Sequence, residues 1–322
     1  MIPNEQLTIV IPAYNEAAVI GHVIKRTRAT KPGCEILVVD DGSNDGTGLV
    51  AQQAGARVVR HPYNKGNGAA VKTGIRAAHG DYVLLLDADG QHSPEDIDRL
   101  LEYLGPYDLV VGARTSASDS ARHRDFANWA FNKLASYLVE MKIPDLTSGF
   151  RCFKRDKVLE FLHLLPNGFS YPTTTTMSFI KSGYNVKFVP IIASKRVGKS
   201  KIKPLRDGTK FITIILRMIT LYNPIKVFLP LATIWFVAGA IYGLLNVIIA
   251  KDHHIPNGAV LLISVSVLIF LFSLISEQIA ALRFERTGRQ ESGIAQTYSI
   301  FEPEQVDITN KLVQSKELER VE

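Results

Sequence analysis

Tyr82-Val83-Leu84-Leu85-Leu86-Asp87-Ala88-Asp89-Gly90-Gln91-His92 is the stretch on which the reading of this chain turns. Its first five residues form the continuous apolar run expected of a parallel strand covered on both faces. Two carboxylates follow where the strand ends, at the carboxyl edge where open α/β sheets bind ligands. Strand alternation points Asp87 and Asp89 to the same side. Two hard oxygen donors, with the Gln91 amide close by, suit a divalent cation that also holds a diphosphate. A strand running into a polar turn would use the same residues, since Asp and Gly are common turn formers. The surrounding sequence decides between the two.

Outward from this run, strand and helix patterns alternate. Strands are predicted over 7–11, 35–39, 57–60, 82–86 and 108–111, and helices over 17–29, 47–54, 66–78 and 94–104. The alternation implies a mostly parallel α/β sheet with helices on both faces. Right-handed crossovers then bring the strand carboxyl ends to one edge. Residues 12–16, 40–43 and 87–89 gather there. Asp40 and Asp41 can accept from base or ribose donors, and Ser43 or Asn44 is expected to cap the helix beginning near Asp45. No Gly-x-Gly-x-x-Gly follows the first strand and no Gly-Lys-Ser/Thr loop occurs, which argues against dinucleotide redox enzymes and ATPases. Beyond Gly112 a polar loop is expected over 114–124, a helix over 125–140, a turn over 145–151 leading into a short strand, and a further strand over 186–190.

The carboxyl-terminal third has a different character. Residues 226–250 and 259–281 are long apolar stretches, each exceeding the ~20 residues that span a bilayer core as a helix. Only a short connection, 251–258, separates them, so they read as a transmembrane hairpin. Apolar residues recur at helical spacing over 205–221, which suits an amphipathic helix lying on the membrane surface, with packing on the soluble domain as the alternative. The net charge of +6 on 322 residues is concentrated beside the hairpin. Lys195, Arg196, Lys199, Lys201, Lys203, Arg206, Lys210 and Arg217 precede it, and Arg283, Arg286 and Arg289 follow it, while the connection has only Lys251. The positive-inside rule then places both soluble segments and both termini in the cytoplasm. The same basic zone favours anionic head groups and phosphates, and without a nucleic-acid motif it does not point to nucleic acid. Cys34 and Cys152 lack zinc or disulfide spacing, and no cleavable signal is expected before the first strand.

Taken with residues 11–16 and 38–43, the Asp87–Asp89 run resembles glycosyltransferase family 2, whose fold is GT-A. Residues 61–74, 87–92, 145–151 and 196–201 narrow the resemblance to the polyprenyl-phosphate group that includes the dolichol-phosphate mannose synthases. The match covers roughly residues 7–205. It implies an inverting transfer of a hexose from a UDP- or GDP-sugar to an undecaprenyl or dolichyl phosphate. It also implies that Pro12, Tyr14, Glu16 and Asp41 hold base and ribose, with Lys65 and Gly66 near the donor. Asp87, Asp89 and Gln91 would bind Mg²⁺ or Mn²⁺ with the diphosphate. Arg114, Arg124 (or Arg122 in its place) and Asn128 would hold the acceptor phosphate, and Arg196 and Lys201 would close over the diphosphate or the lipid phosphate. An anionic acceptor needs positioning more than deprotonation, so no Ser-His-Asp or Cys-His set is required. The expected organisation is a catalytic domain over 1–204, an interfacial helix over 205–222, a hairpin over 223–283 and a charged tail over 284–322, in an integral membrane protein whose self-association the sequence leaves open. A transferase using another membrane lipid, or a non-catalytic nucleotide-sugar-binding membrane protein, is the alternative.

Overall fold

The computed structural model describes residues 2–115, 122–168, 170–192, 217, 219–249 and 254–288, with backbone alone for 122–128 and 283–288. Seven strands form one mixed sheet in the order β3-β2-β1-β4-β6-β5-β7. The first half alternates as the sequence predicts: β1 (Leu7–Ala13), α1 (Ala17–Thr30), β2 (Glu35–Asp40), α2 (Thr47–Gln53), β3 (Arg57–Arg60), α3 (Asn67–Ala77) and β4 (Tyr82–Leu85). Every residue of β1 is buried, as a central parallel strand requires. Its alternate side chains feed two cores. Ile9 and Ile11 pack with Ile20 and Ile24 of α1, whereas Val10 packs with Val71 and Ile75 of α3.

After β4 a 3-10 turn (Pro94–Asp96) and a short α4 (Ile97–Leu101) occupy what reads as one longer helix. Then come β5 (Leu109–Arg114), α5 (Arg122–Val139), β6 (Arg151–Lys154), α6 (Arg155–Phe161), α7 (Tyr171–Lys181) and β7 (Val186–Ile191). β6 lies antiparallel between β4 and β5, and its first residue, Arg151, pairs with Leu85 and Val111. This reversal delivers the 145–150 turn to the edge where β4 and β5 end. The sequence pattern leaves α6 and α7 unassigned. The run Thr173–Thr176 is β-branched and a poor helix former. Burial overrides propensity: these four residues are buried, and the Thr175 hydroxyl donates to the Tyr171 carbonyl at 2.8 Å.

Two long helices follow, α8 (Ile225–Ile249) and α9 (Asn257–Gly288). Ile225–Ile249 and Asn257–Leu282 are long and apolar enough to cross a membrane, with mean hydropathy 1.9 and 2.8. Small buried residues form the seam of the pair: Ala232, Gly239 and Gly243 on α8, and Ala259, Ser266, Ser273 and Ala280 on α9. Small residues let helix backbones approach closely, while the large side chains of Ile234, Phe236, Leu244, Leu268 and Phe272 point outward. On α9 the half-buried Glu277 has its Oε2 buried, with no hydrogen-bond partner among the described residues.

The hairpin is seated on the catalytic domain. Ile219, Leu221 and Tyr222 pack with Phe131, Ala135 and Leu138 of α5, Met177 of α7, and Val227 and Phe228 of α8. The Tyr222 hydroxyl donates to the Thr174 carbonyl at 2.9 Å. These described residues of the expected interfacial helix therefore bury their apolar side chains on the soluble domain. Residues 205–216 lie outside the described residues.

Candidate active site at the carboxyl edge

Two groups of residues meet the carboxyl edge. The first is built from the turns after β1 and β2. Asn15 adopts a left-handed conformation, with φ of 55°. Its amide donates to Ser43 Oγ at 2.9 Å, its Oδ1 accepts from the Asn44 amide at 3.0 Å, and the Glu16 amide donates to Thr47 Oγ1 at 2.9 Å. Asp45 accepts from the Ala17 amide at the start of α1. Ser43 and Asn44 thus brace the turn of Tyr14, Asn15 and Glu16 rather than capping α2, which starts at Thr47 behind Gly46. Pro12 is buried in β1, while Tyr14 and Glu16 are half-buried.

Asp41, expected to hold base or ribose, is mostly engaged from within. It is 2 % exposed. Its Oδ1 accepts from His61 Nδ1 at 2.6 Å and the Lys65 amide at 3.0 Å, and its Oδ2 from the Gly66 amide at 2.8 Å. Lys65 itself is exposed, with Nζ 5.6 Å from the centre of the exposed Tyr63 ring.

The second group surrounds Asp87 and Asp89. Both carboxylates are half-buried at the end of β4, and the Gln91 backbone N–H donates to Asp89 Oδ1 at 3.1 Å. His92 Nε2 lies 3.6 Å from Asp87 Oδ2, and its ring stacks on Phe150 with centroids 5.2 Å apart. Gly149 lies against the same carboxylate: a Cβ there would sit 2.5 Å from Asp87 Oδ2. Arg151 is fully buried, and its guanidinium donates to the Ser148 and Pro172 carbonyls and to Thr176 Oγ1. Burial alone would raise the Asp87 carboxyl. The nearby His92 ring and the guanidinium charges of Arg114 and Arg151 outweigh it and hold Asp87 below its ordinary range. Burial pushes the Arg151 guanidinium down to about 10, which leaves it cationic at neutral pH.

Arg114, assigned by the resemblance to the acceptor phosphate, forks onto Asp145. Its Nε lies 2.8 Å from Oδ2 and its Nη2 3.0 Å from Oδ1, and Nη2 also donates to Thr147 Oγ1 at 2.6 Å. Such bidentate pairs are strong and directional. Arg114 therefore braces the 145–151 turn beside Asp87. Arg124 and Asn128 lie on the backbone of α5, and their side chains are outside the described residues, as are Arg122's side chain and all of Arg196 and Lys201. Asp145, Gly149, Arg151 and His61 are site residues to which the sequence reading gave no role. All four lie in the 61–74 and 145–151 runs that carry the resemblance, but their individual partners become visible only through the fold.

Among the described residues no three His, Cys, Asp or Glu side chains converge as a metal cluster. Two ionised carboxylates at an open edge still fit a small hard cation that completes its shell with phosphate oxygens and water. Asp87, Asp89 and Gln91 are the residues present for it.

A glycosyl transferase family 2 profile matches residues 8–162, and a GtrB C-terminal hairpin profile matches 223–282. The polyprenol monophosphomannose synthase of Mycolicibacterium smegmatis is 32% identical over 218 residues, covering 62% of this chain and 82% of that protein. The chain belongs to glycosyltransferase family 2. The dolichyl-phosphate hexose transferase of Haloferax volcanii is 30% identical over 207 residues, covering 63% of this family 2 chain and 90% of that protein. Among solved structures, glucosyl-3-phosphoglycerate synthase of Mycobacterium tuberculosis, in complex with Mn²⁺, UDP and glucosyl-3-phosphoglycerate, superposes with a TM-score of 0.54 at 21% identity, over 67% of this chain and 78% of that one. The shared fold is GT-A, and the Asp87–Asp89 edge of this family 2 glycosyltransferase is its candidate active site.

Proposed function

We propose that this chain transfers a hexosyl group from a UDP- or GDP-sugar to a polyprenyl phosphate at the cytoplasmic surface of a membrane. One observation carries the reading. The carboxyl edge with Asp87, Asp89 and the nearby guanidinium groups of Arg114 and Arg151 belongs to a domain seated on a two-helix hairpin through one packed cluster. The names of the family 2 relatives, one a polyprenol monophosphomannose synthase and one a dolichyl-phosphate hexose transferase, support the acceptor class. The exposed Trp129 and Tyr137 on α5, with Lys133 Nζ 5.0 Å from the Trp129 ring, form the amphipathic surface favoured at the membrane interface.

In this reading Tyr14, Glu16 and Asp41 line the nucleoside end, and Asp87, Asp89 and Gln91 hold a divalent cation at the diphosphate. The cation, when bound, stabilises charge on the departing diphosphate as a Lewis acid. Arg151 adds a fixed positive charge behind Asp87, and Arg114 holds the turn that positions it. An acceptor phosphate oxygen attacks the anomeric carbon while the bond to the diphosphate breaks. The electron pair leaves with the nucleoside diphosphate, and one displacement inverts the centre. Arg124, Asn128, Arg196 and Lys201 are assigned to the phosphates on the sequence resemblance alone. The catalytic domain, interfacial segment, hairpin and tail keep the boundaries read from the sequence.

The test is a panel of nucleoside diphosphate sugars with short-chain polyprenyl phosphate, reading nucleoside diphosphate release. Release should require lipid phosphate and cease in EDTA. Turnover with free polyprenol would favour a transferase for other membrane lipids, and acceptor-independent binding without turnover would favour a non-catalytic protein.

A further inference from the structure

His61 links the two elements that frame the nucleoside end, although no step of the transfer uses it. It is 5 % exposed. Its Nδ1 contacts Asp41 Oδ1 at 2.6 Å, and its Nε2 contacts Thr73 Oγ1 of α3 at 2.9 Å. An ionised carboxylate only accepts hydrogen bonds, so Nδ1 carries the proton whether the ring is neutral or cationic. Asp41 also takes the Lys65 and Gly66 amides. Three of its roughly four lone-pair sites are thus filled by the single loop 61–66.

That loop is pressed into place from other sides as well. Gly42 has φ of 75°, and a Cβ there would stand 2.6 Å from the Tyr63 carbonyl carbon. A Cβ on Gly66 would stand 2.5 Å from the Asn167 carbonyl oxygen. The turn after β2, the loop and residues 166–168 therefore lie backbone against backbone. What this clamped loop presents outward is Tyr63, 65 % exposed, and the exposed Lys65. An exposed aromatic and an exposed cation carried by a clamped backbone beside Asp41 suit a base or ribose and its phosphates.

We propose that His61 is a positioning residue for nucleotide binding: the Asp41–His61–Thr73 chain fixes loop 61–66 against the turn after β2, so that Asp41, Tyr63 and Lys65 meet the nucleoside diphosphate preorganised. The proposal rests on the reading of this edge as the donor site.

Titration calorimetry of the full chain with UDP and with GDP, in Mn²⁺, tests it alongside thermal unfolding and steady-state kinetics. His61→Asn retains an N–H near the Nδ1 position, whereas His61→Gln retains only the outer nitrogen. His61→Asn should bind within about threefold of wild type. His61→Gln and His61→Leu should weaken binding roughly tenfold or more, the effect of one lost charge-assisted hydrogen bond. The donor KM should rise with the binding constant, and the polyprenyl phosphate KM should stay constant. Equal nucleotide affinity in all three variants, whatever their thermal midpoints, would overturn the positioning role alone. So would equal loss in His61→Asn and His61→Gln. A wild-type chain that binds neither UDP nor GDP would overturn the donor-site reading and this proposal together.

Discussion

Gly149→Ala tests the seating of Asp87 at the cost of a single methyl group. Gly149 is not in the left-handed region, so alanine meets no backbone penalty there. Its restriction is spatial: the new Cβ would lie 2.5 Å from Asp87 Oδ2 and 2.9 Å from Oδ1. Restoring ordinary contact requires the carboxylate to retreat by roughly 0.9 Å. Neither neighbour yields easily, since His92 is buried and stacked on Phe150, and the 145–151 turn is tied to Arg114. A displacement of ~1 Å at a reacting centre costs about 10²-fold in rate, equivalent to roughly 2.7 kcal/mol of transition-state stabilisation. Overpacking costs about 1–3 kcal/mol of folding stability, partly offset by ~0.4–1 kcal/mol from a less flexible unfolded chain. The variant should therefore fold, unfold within a few degrees of wild type, release nucleoside diphosphate about 10²-fold more slowly, and require more metal for half-maximal activity. Activity within twofold of wild type at the same metal concentration would refute the assignment of Asp87 to the reacting edge. Loss of activity together with collapse of the unfolding transition would refute the claim that the glycine serves the site rather than packing.

Three other outcomes are expected. Burial would raise the Asp145 carboxyl, but the Arg114 fork and two backbone amides prevail and hold it below the ordinary range; its stabilisation is complete above about pH 4 and is lost as pH falls through the lower folded value. Asp145→Asn should thus lower the thermal midpoint at pH 7 and converge with wild type only as pH falls through the lower folded value, and parallel pH profiles would contradict the pair's contribution. In the hairpin, a Cβ at Gly239 would lie 2.9 Å from Leu262 Cβ, so Gly239→Ala should cost about 1–3 kcal/mol by thermal unfolding in detergent, while Leu244→Ala on the exposed face should be near neutral. Cysteine labelling in intact cells should reach residue 254 from outside and leave the exposed position 18 protected, and the reverse pattern would overturn the cytoplasmic assignment.

The parallel half of the sheet was legible because β1, β2 and β4 are short, mostly apolar runs closed by polar turn residues, and length and flanking turn signals decide such cases. The hairpin was legible from length alone. β6 was harder to orient, since Arg151-Cys152-Phe153-Lys154 reads alike in either direction, and only its pairing with Leu85 and Val111 fixes it as antiparallel. Helix α7 was hidden by threonines whose propensity opposes the helix they form. At the site, the residue types on the strand ends were readable, but their pairings were not. Arg114 and Asp145 are 31 positions apart in sequence, and nothing local distinguishes an arginine forked on a carboxylate from one facing solvent. Asp41 likewise reads as a strand-end carboxylate, and only the fold shows that His61 and two loop amides hold it in place.

Those pairings follow from one topological fact. A parallel strand sends only its carboxyl end to the ligand edge, so β1, β2, β4 and β5 each contribute the turn that follows them. The reversed β6 contributes the turn that precedes it. Asp145, Gly149 and Arg151 thereby arrive between the ends of β4 and β5, where a parallel β6 would have placed the Lys154–Arg155 end instead. Arg151 then sits in the core with neutral hydrogen-bond acceptors around its guanidinium, and Asp87 and Asp145 supply the nearby opposite charge. A buried cation left without such charge is costly, so the core itself favours carboxylates at both positions. The demand of the fold and the demand of a diphosphate-binding edge coincide at Asp87: the charge that balances Arg151 from above is also one of the two oxygen donors that face the ligand edge.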